Sequence, residues 1–160
     1  MANKKMSIKK TDELIDKCKR YISDGQAFKY FPMVVSKAKG AKIWDVNGKE
    51  YIDFLSSAAT FNVGHNNPKV VNVIKSNLNK YLHYCFYIYH EPAVKLAELL
   101  VNLSPGNFEK KVAFGLSGSD AVDTAVKASL IYTRRRNIAS FTDSYHGSTF
   151  MGISISGSFK

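Results

Sequence analysis

A glycine- and serine-rich segment at residues 115–120 (GLSGSD) is the feature that most constrains how this chain folds. It follows residues 111–114, a short apolar run that predicts a β-strand, and it leads into residues 120–134, whose apolar spacing predicts a helix. A second strand is predicted at residues 138–141. Because strand, helix and strand in this order form a βαβ unit, the sequence predicts an α/β fold with a mostly parallel sheet.

The same segment has the properties of an anion-binding site. Free backbone N–H groups and the helix dipole attract negative charge at the start of a helix, and small residues let a phosphate approach closely. Ser117 and Ser119 add hydroxyl donors, while Asp120 caps the helix or lies in its first turn. An ordinary capped turn has the same composition, so both interpretations stay open at this point. The segment lacks the Walker lysine and the G-x-G-x-x-G spacing, which disfavours a nucleotide-binding loop.

A second polar loop, residues 143–149 (DSYHGST), follows the second predicted strand. Open α/β sheets bind ligands at the carboxyl ends of their strands, so polar loops after two consecutive strands favour a binding site there. Tyr145, followed by His146 and Gly147, is suited to stacking on a flat ring. The alternative is a packed tyrosine with a surface histidine in an ordinary loop.

The N-terminal part of the chain predicts an arm helix and a small antiparallel unit. Thr11 is placed to cap the helix and Gly25 to end it. Two extended runs, residues 41–45 and 49–54, flank the Asn-Gly pair at 47–48, a strong signal for a hairpin turn.

Further helices are predicted from residues 67–68 (Asn-Pro) and 91–92 (Glu-Pro), because proline fits the first turn of a helix. The apolar residues that follow each pair recur at helical spacing. Residues 153–160 read as another apolar run that favours a strand, and no helix follows to cover the sheet. The sequence therefore predicts that this chain is part of a larger fold.

Composition excludes several classes of protein. The net charge is +10, but acidic residues interrupt the lysine cluster at residues 4–20 and no stacking aromatics are interleaved with it, so no nucleic-acid partner is expected. No apolar run approaches the roughly 20 residues that span a bilayer, so neither a membrane partner nor a secretory signal is expected, which predicts a cytoplasmic protein. Cys18 and Cys85 lack metal-ligand spacing, and no metal site is predicted.

Four runs together resemble the class III (fold type I) pyridoxal-phosphate aminotransferases. Residues 43–54 resemble the opening hairpin of that family, and residues 62–68 its N-x-G-H-x-x-P turn. Residues 117–127 are similar to its phosphate-cup motif, S-G-S-E-A-x-E-x-A-x-K, and residues 144–149 to its Y-H-G-[RS]-T loop. The runs occur in order and with plausible spacing from about Lys29 to the end of the chain.

The resemblance implies an α/β fold of PLP fold type I, in which an incomplete, mostly parallel sheet follows a small antiparallel unit. Residues 1–60 would form the arm helix and the small-domain hairpin. Residues 61–160 would form the first part of the PLP-binding large domain. The family's Schiff-base lysine and the aspartate that pairs with the pyridine nitrogen are expected beyond Lys160. No catalytic residue is therefore predicted here, and the chain alone is expected to be inactive and poorly stable.

The resemblance also implies roles for particular residues. Ser117, Gly118 and Ser119 would bind the phosphate of pyridoxal 5'-phosphate (PLP), and Tyr145 would stack on its pyridine ring with His146 alongside.

The resemblance also implies roles for two residues on the substrate side of the site. Ala58 would border the substrate where ornithine-type enzymes carry an aromatic anchor, which predicts a preference for apolar over ω-amino substrates. Tyr87 would face the pocket of a second subunit. A homodimer is expected from an aromatic stretch of the kind enriched at interfaces, which comprises Tyr81, Tyr84, Phe86, Tyr87 and Tyr89.

The predicted activity, for the full-length enzyme, is transfer of an amino group between an amino acid and a 2-keto acid. The alternative is a PLP-dependent amino-acid racemase or 2-epimerase. Asp120 stands where aminotransferases most commonly have glutamate, and S-G-S-D-A resembles the racemase and epimerase branch. A non-enzymatic basic binding module is the third possibility.

Overall fold

The computed structural model describes residues 2–26, 30–83, 85 and 87–157, and only the backbone of residues 2–9 and 26. The chain divides into two compact units, Met1–His83 and Tyr84–Lys160. The first contains helix α1 (Ala2–Tyr21), a 3-10 turn (Asp24–Gln26), strands β1 (Val35–Lys39), β2 (Lys42–Asp45) and β3 (Glu50–Ile52), a left-handed turn (Ser56–Ala59) and helix α2 (Pro68–Leu78). The second contains helices α3 (Glu91–Leu103), α4 (Gly118–Thr133) and α5 (Phe150–Ile155).

The first unit is built on a three-stranded antiparallel sheet in the order β1-β2-β3. The predicted hairpin is confirmed as β2 and β3, and β1 adds a strand that was not predicted. The buried carboxylate of Asp45 fixes the hairpin turn, because it accepts hydrogen bonds from the backbone N–H groups of Asn47 and Lys49, each at 2.9 Å, and from the Tyr51 hydroxyl at 3.0 Å. Burial raises the pKa of Asp45, but these hydrogen bonds outweigh it and hold the pKa below the usual 3.8.

The arm helix begins well before the predicted cap. Helix α1 starts at Ala2, so the prediction that Thr11 caps it is wrong. Residues 2–10 contain neither proline nor glycine to stop a helix, and the Thr11 hydroxyl accepts a hydrogen bond from the Asn47 side chain at 2.9 Å. The helix also ends at Tyr21, ahead of Gly25.

Helices α2 and α3 confirm the two Pro-based predictions. The Asn67 side chain caps α2 by accepting a hydrogen bond from the Lys69 N–H at 3.0 Å, and Pro68 occupies the first turn. Helix α3 begins at Glu91 and ends at Leu103, with the Ser104 hydroxyl donating to the Leu100 carbonyl at 2.7 Å.

In the second unit the predicted helix is confirmed but three predicted strands are wrong. Helix α4 ends where Arg134 adopts the left-handed conformation, φ 55°. Residues 111–114 and 138–141 form no strand, because a strand requires a hydrogen-bonded neighbour and the described residues pair only in β1–β3 and at one Gly40–His65 bridge. Residues 153–155 lie in α5, whose first turn is capped by the Thr149 hydroxyl. Residues 158–160 lie outside the described part.

Few apolar side chains of the described residues are buried. Val126 is buried at 7% exposure, whereas Leu116, at 97%, is open to solvent. Within the described ranges no helix is long and apolar enough to cross a bilayer. No group of three or more potential metal ligands lies together in those ranges.

Candidate functional site

The first turn of α4 combines a helix cap with two open N–H donors. The Ser117 hydroxyl accepts a hydrogen bond from the Asp120 N–H at 3.2 Å, and the Asp120 carboxylate accepts one from the Leu116 N–H at 2.9 Å. This exchange fixes the helix start in the manner of a capping box. The backbone N–H groups of Gly118 and Ser119 meet no acceptor among the described residues. The cap and the anion site, which the sequence left as alternatives, are thus compatible.

The Tyr-His-Gly loop packs directly on this helix start. The Ser148 N–H donates to the Ser119 hydroxyl at 3.0 Å, which leaves the hydroxyl hydrogen of Ser119 available to donate. Gly147 is buried, its φ is +123°, and a Cβ at this position would lie 2.5 Å from the Ser119 hydroxyl oxygen. Only glycine permits this approach.

Three further hydrogen bonds hold the loop. The Thr149 hydroxyl donates to the Asp123 carboxylate at 2.7 Å and joins α5 to α4. The His146 N–H donates to the Ser156 hydroxyl at 2.9 Å, while the Tyr145 and Ser148 hydroxyls lie 2.8 Å apart. The loop is therefore fixed at both of its ends.

A cavity of about 370 Å³ lies between the helix start and the loop. It is lined by Gly118, Ser119, Val122, Tyr145, His146 and Gly147. The structure thus brings together Gly118, Ser119, Tyr145 and His146, four of the predicted cofactor-binding residues. Ser117 lies next to them in sequence, with its hydroxyl occupied by the helix cap. The Tyr145 side chain is 62% exposed.

Ala58 belongs to an unusual backbone feature of the first unit. Ser56, Ser57, Ala58 and Ala59 all have positive φ, at 48°, 52°, 56° and 62°. The left-handed conformation costs a non-glycine residue roughly 1–2 kcal/mol, because Cβ approaches the following carbonyl oxygen. Four such residues in a row persist only when surrounding contacts impose the conformation, and such segments cluster at functional sites.

The contact that adjoins this left-handed turn is a side-chain hydrogen bond between Asp53 and His65. His65 Nε2 lies 2.6 Å from Asp53 Oδ2, and the two side chains are 16% and 9% exposed. The hydrogen bond from His65 and that from the Ser56 backbone hold the pKa of Asp53 below its usual 3.8, against the opposing effect of burial. The sequence interpretation placed His65 only in a turn and missed this pair.

Tyr87 does not line the cavity, and its side chain is 95% exposed. Tyr84 and Phe86 of the predicted aromatic stretch lie outside the described residues. The packing role of Gly147 was also not predicted, although the glycine belongs to the quoted Y-H-G motif. The left-handed turn contains no glycine, so its sequence carries no signal of it.

The chain belongs to the family described as "Aminotransferase class-III", which matches residues 24–160. It is 47% identical over 147 residues to a leucine/methionine racemase of Thermococcus litoralis, covering 91% of this chain and 33% of that protein. It is 41% identical over 127 residues to a 5-aminovalerate aminotransferase of Pseudomonas aeruginosa, covering 79% of this chain and 30% of that protein. The predicted family is confirmed.

A solved structure confirms the fold class. The chain superposes with a TM-score of 0.82 and 30% identity on the taurine:2-oxoglutarate aminotransferase of Bifidobacterium kashiwanohense, in complex with PLP and glutamate. The match covers 92% of this chain and 33% of that one. The fold is therefore the α/β fold type I of PLP enzymes, although the chain spans only about a third of the length of the relatives it matches.

Proposed function

We propose that the full-length protein is a PLP-dependent enzyme that transfers an amino group between an amino acid and a 2-keto acid. The observation that carries this proposal is the cavity between the start of α4 and residues 145–147. Family membership and the PLP and glutamate in the related Bifidobacterium structure support it.

The residues of the cavity fit the cofactor. A phosphate dianion requires N–H donors and a close approach, which the open N–H groups of Gly118 and Ser119 supply at the positive end of a helix. A Cβ at Gly118 would meet no atom within 4 Å, so the space next to this N–H is open. The Ser119 hydroxyl adds a donor, and the exposed ring of Tyr145 offers a flat surface for a pyridine ring.

PLP, when bound, acts as an electron sink that stabilises the carbanion at the amino-acid Cα. The residues of this chain bind and orient it. Gly118 and Ser119 hold the phosphate, and Tyr145 sets the plane of the ring, with His146 beside it. Orientation matters because the bond to be broken must lie in line with the ring's π system.

Purification of the full-length protein with PLP tests this proposal. We expect a visible absorbance band from the bound cofactor, and we expect Ser119→Ala to weaken PLP binding about tenfold, as loss of one hydrogen bond to a charged group predicts. Ser129→Ala, on the same helix with its hydroxyl bonded to the Ala125 carbonyl, is the matched control. A protein without such a band in any preparation would favour the third possibility, a basic binding module.

Racemisation or 2-epimerisation of an amino acid is the second candidate function. It is favoured by the 47% identity to the leucine/methionine racemase and by Asp120 in the S-G-S-D-A run. The two activities differ in whether a keto acid is required. Incubation with one L-amino acid and no keto acid decides between them, since the appearance of the D- or allo-form would contradict the transaminase proposal.

On the substrate side, Ala58 and Tyr87 are proposed to border the amino acid. Ala58 is small and offers no anchor for a distal amine, so branched-chain or small neutral amino acids should react faster than ornithine. A comparison of kcat/KM for these substrates measures this preference. Faster turnover of ornithine would contradict the role given to Ala58.

The full-length protein is further proposed to be a cytoplasmic homodimer without nucleic-acid or membrane partners. Residues 1–60 belong to its arm and small domain, and residues 61–160 to its large domain. Tyr87 and Tyr89 are 95% and 100% exposed, which suits an interface rich in aromatic residues. Light scattering of the active protein tests the dimer, and a fully active monomer would contradict it.

A further inference from the structure

The left-handed turn Ser56–Ala59 is not held by its own hydrogen bonds alone. Within it the Ala59 N–H donates to the Leu55 carbonyl at 3.1 Å, and the Thr60 N–H donates to the Ser56 carbonyl at 2.9 Å. A right-handed turn makes bonds of the same kind without the steric conflict at Cβ. Contacts from outside the turn must therefore select its hand.

Both ends of the turn contact the hydrogen-bonded pair Asp53 and His65. At the entrance, the Asp53 carboxylate accepts hydrogen bonds from the backbone N–H groups of Leu55 at 3.0 Å and Ser56 at 2.9 Å. The other carboxylate oxygen bonds the His65 ring. At the exit, Phe61 stacks on that ring, with the centroids 4.7 Å apart.

The Asp53–His65 pair is itself attached to the sheet. The Asp53 N–H donates to the Ala41 carbonyl at 2.9 Å, and His65 exchanges two backbone hydrogen bonds with Gly40, at 2.8 and 2.9 Å. Gly64, at φ +82°, lets the chain approach, because a Cβ there would lie 3.2 Å from the Cα of Gly40. The two side chains thus hold the turn against a fixed support.

We propose that Asp53 and His65 are positioning residues that hold the turn Ser56–Ala59 in its left-handed form and so fix the wall that Ala58 gives to the amino-acid site. The location of that wall rests on the proposed function. The geometry of the turn rests only on the contacts above. Neither side chain is assigned contact with the substrate.

The test uses His65→Phe and Asp53→Asn in the full-length protein loaded with PLP. Phenylalanine keeps a ring against Phe61 but removes the nitrogen that bonds Asp53. Glu50→Gln is the matched control, because it breaks the exposed Lys42–Glu50 pair, at 2.7 Å, on the same sheet. Hydrogen exchange of the peptide spanning residues 55–61 reports the turn, and KM and kcat for a branched-chain amino acid report the site.

We expect the amides of Ala59 and Thr60 to exchange about tenfold faster in His65→Phe, and KM to rise by about tenfold with kcat and PLP affinity changed less than about threefold. A second change, Ala59→Gly, should restore much of both losses because glycine adopts the left-handed conformation without penalty. The control variant should match the wild type in both measurements.

Unchanged exchange in both variants would overturn the positioning role, whatever the enzyme's activity. Faster exchange with unchanged KM would overturn the placement of the turn at the substrate. The cofactor band of the wild type reports separately on the proposed function, so the two failures are distinguishable. If His65→Phe does not fold, Asp53→Asn and the Ala59→Gly single variant, for which slower exchange is expected, still decide the matter.

Discussion

Two regions of the molecule can be compared: the left-handed turn, and the proposed phosphate cup, which comprises residues 117–119 and the loop at residues 145–148 that packs on them. Each needs a backbone conformation with positive φ at one or more positions. The cup has glycine there, since Gly147 has φ +123° and packs on Ser119. The turn has Ser56, Ser57, Ala58 and Ala59 and depends on the hydrogen-bonded pair Asp53 and His65, which are 12 residues apart. Local sequence therefore specifies the cup, whereas non-local contacts impose the turn.

The largest effect is expected from Gly147→Ala. The new Cβ would lie 2.5 Å from the Ser119 hydroxyl oxygen and 2.9 Å from its Cα, so the loop must move away from α4. We expect a loss of about 2–3 kcal/mol in the free energy of unfolding, together with loss of PLP binding. Urea unfolding and PLP titration of the full-length protein measure the two effects.

Gly118→Ala is the control for stability, because a Cβ there meets nothing within 4 Å. Its free energy of unfolding should stay within about 0.5 kcal/mol of the wild type. Equal destabilisation by the two variants would show that the contact between Gly147 and Ser119 does not decide the structure of the cup.

A smaller effect is expected from Thr149→Val. Valine keeps the shape of threonine but loses the hydrogen bond to Asp123 and the cap on the Gly152 N–H. Loss of a helix cap and of one hydrogen bond predicts a decrease of about 1–2 kcal/mol. Thr142→Val, at an exposed turn position without a hydrogen bond in the described part of the chain, should change the free energy by less than about 0.5 kcal/mol.

The same contrast explains which features were predictable from sequence. Asn67-Pro68, Ser117 and the Asn-Gly turn at 47–48 act on residues next to them, so the helix starts and the hairpin followed from the pattern. Strand pairing depends on distant residues, and an apolar run is a strand only when a neighbour bonds to it. This is why residues 111–114 and 138–141 were misread, and why β1 was missed.

The residues of the proposed site differ in the same way in how far they could be predicted from sequence. Gly118, Ser119, Tyr145 and His146 were predicted because their motifs are contiguous in sequence, and the structure brings them to one cavity. The pairing of Asp53 with His65 requires the Gly40–His65 bridge, which no local pattern indicates. Thr11 was wrongly assigned to a helix cap. Its hydroxyl instead bonds Asn47, 36 residues away, and no local sequence pattern indicates such a contact.

Acid is expected to weaken the contacts that hold the left-handed turn. The pKa of Asp53 is held below 3.8 in the folded protein, so the folded state binds fewer protons than the unfolded state as pH approaches that value. The stabilisation that ionised Asp53 gives is present above its pKa in the unfolded chain. It is lost as pH falls through the lower pKa that Asp53 has in the folded protein. The stability difference between the wild type and Asp53→Asn, measured by urea unfolding, should therefore be full at pH 7 and shrink below pH 3.8. A difference that grew on acidification would contradict the role of the ionised carboxylate.

The smallest expected effect is a gain in stability from Ala59→Gly. Removal of the left-handed penalty at φ 62° gives about 1–2 kcal/mol, and the greater freedom of glycine in the unfolded chain costs about 0.5–1 kcal/mol. The net expectation is a stabilisation of about 0.5–1 kcal/mol. Ala128→Gly, in the interior of α4, should have the opposite sign and cost about 1 kcal/mol, because the conformation there is right-handed. Thermal or urea unfolding of the two variants compares them directly. Destabilisation by both would mean that residue 59 does not keep its left-handed conformation in solution, and that the contrast between cup and turn does not hold.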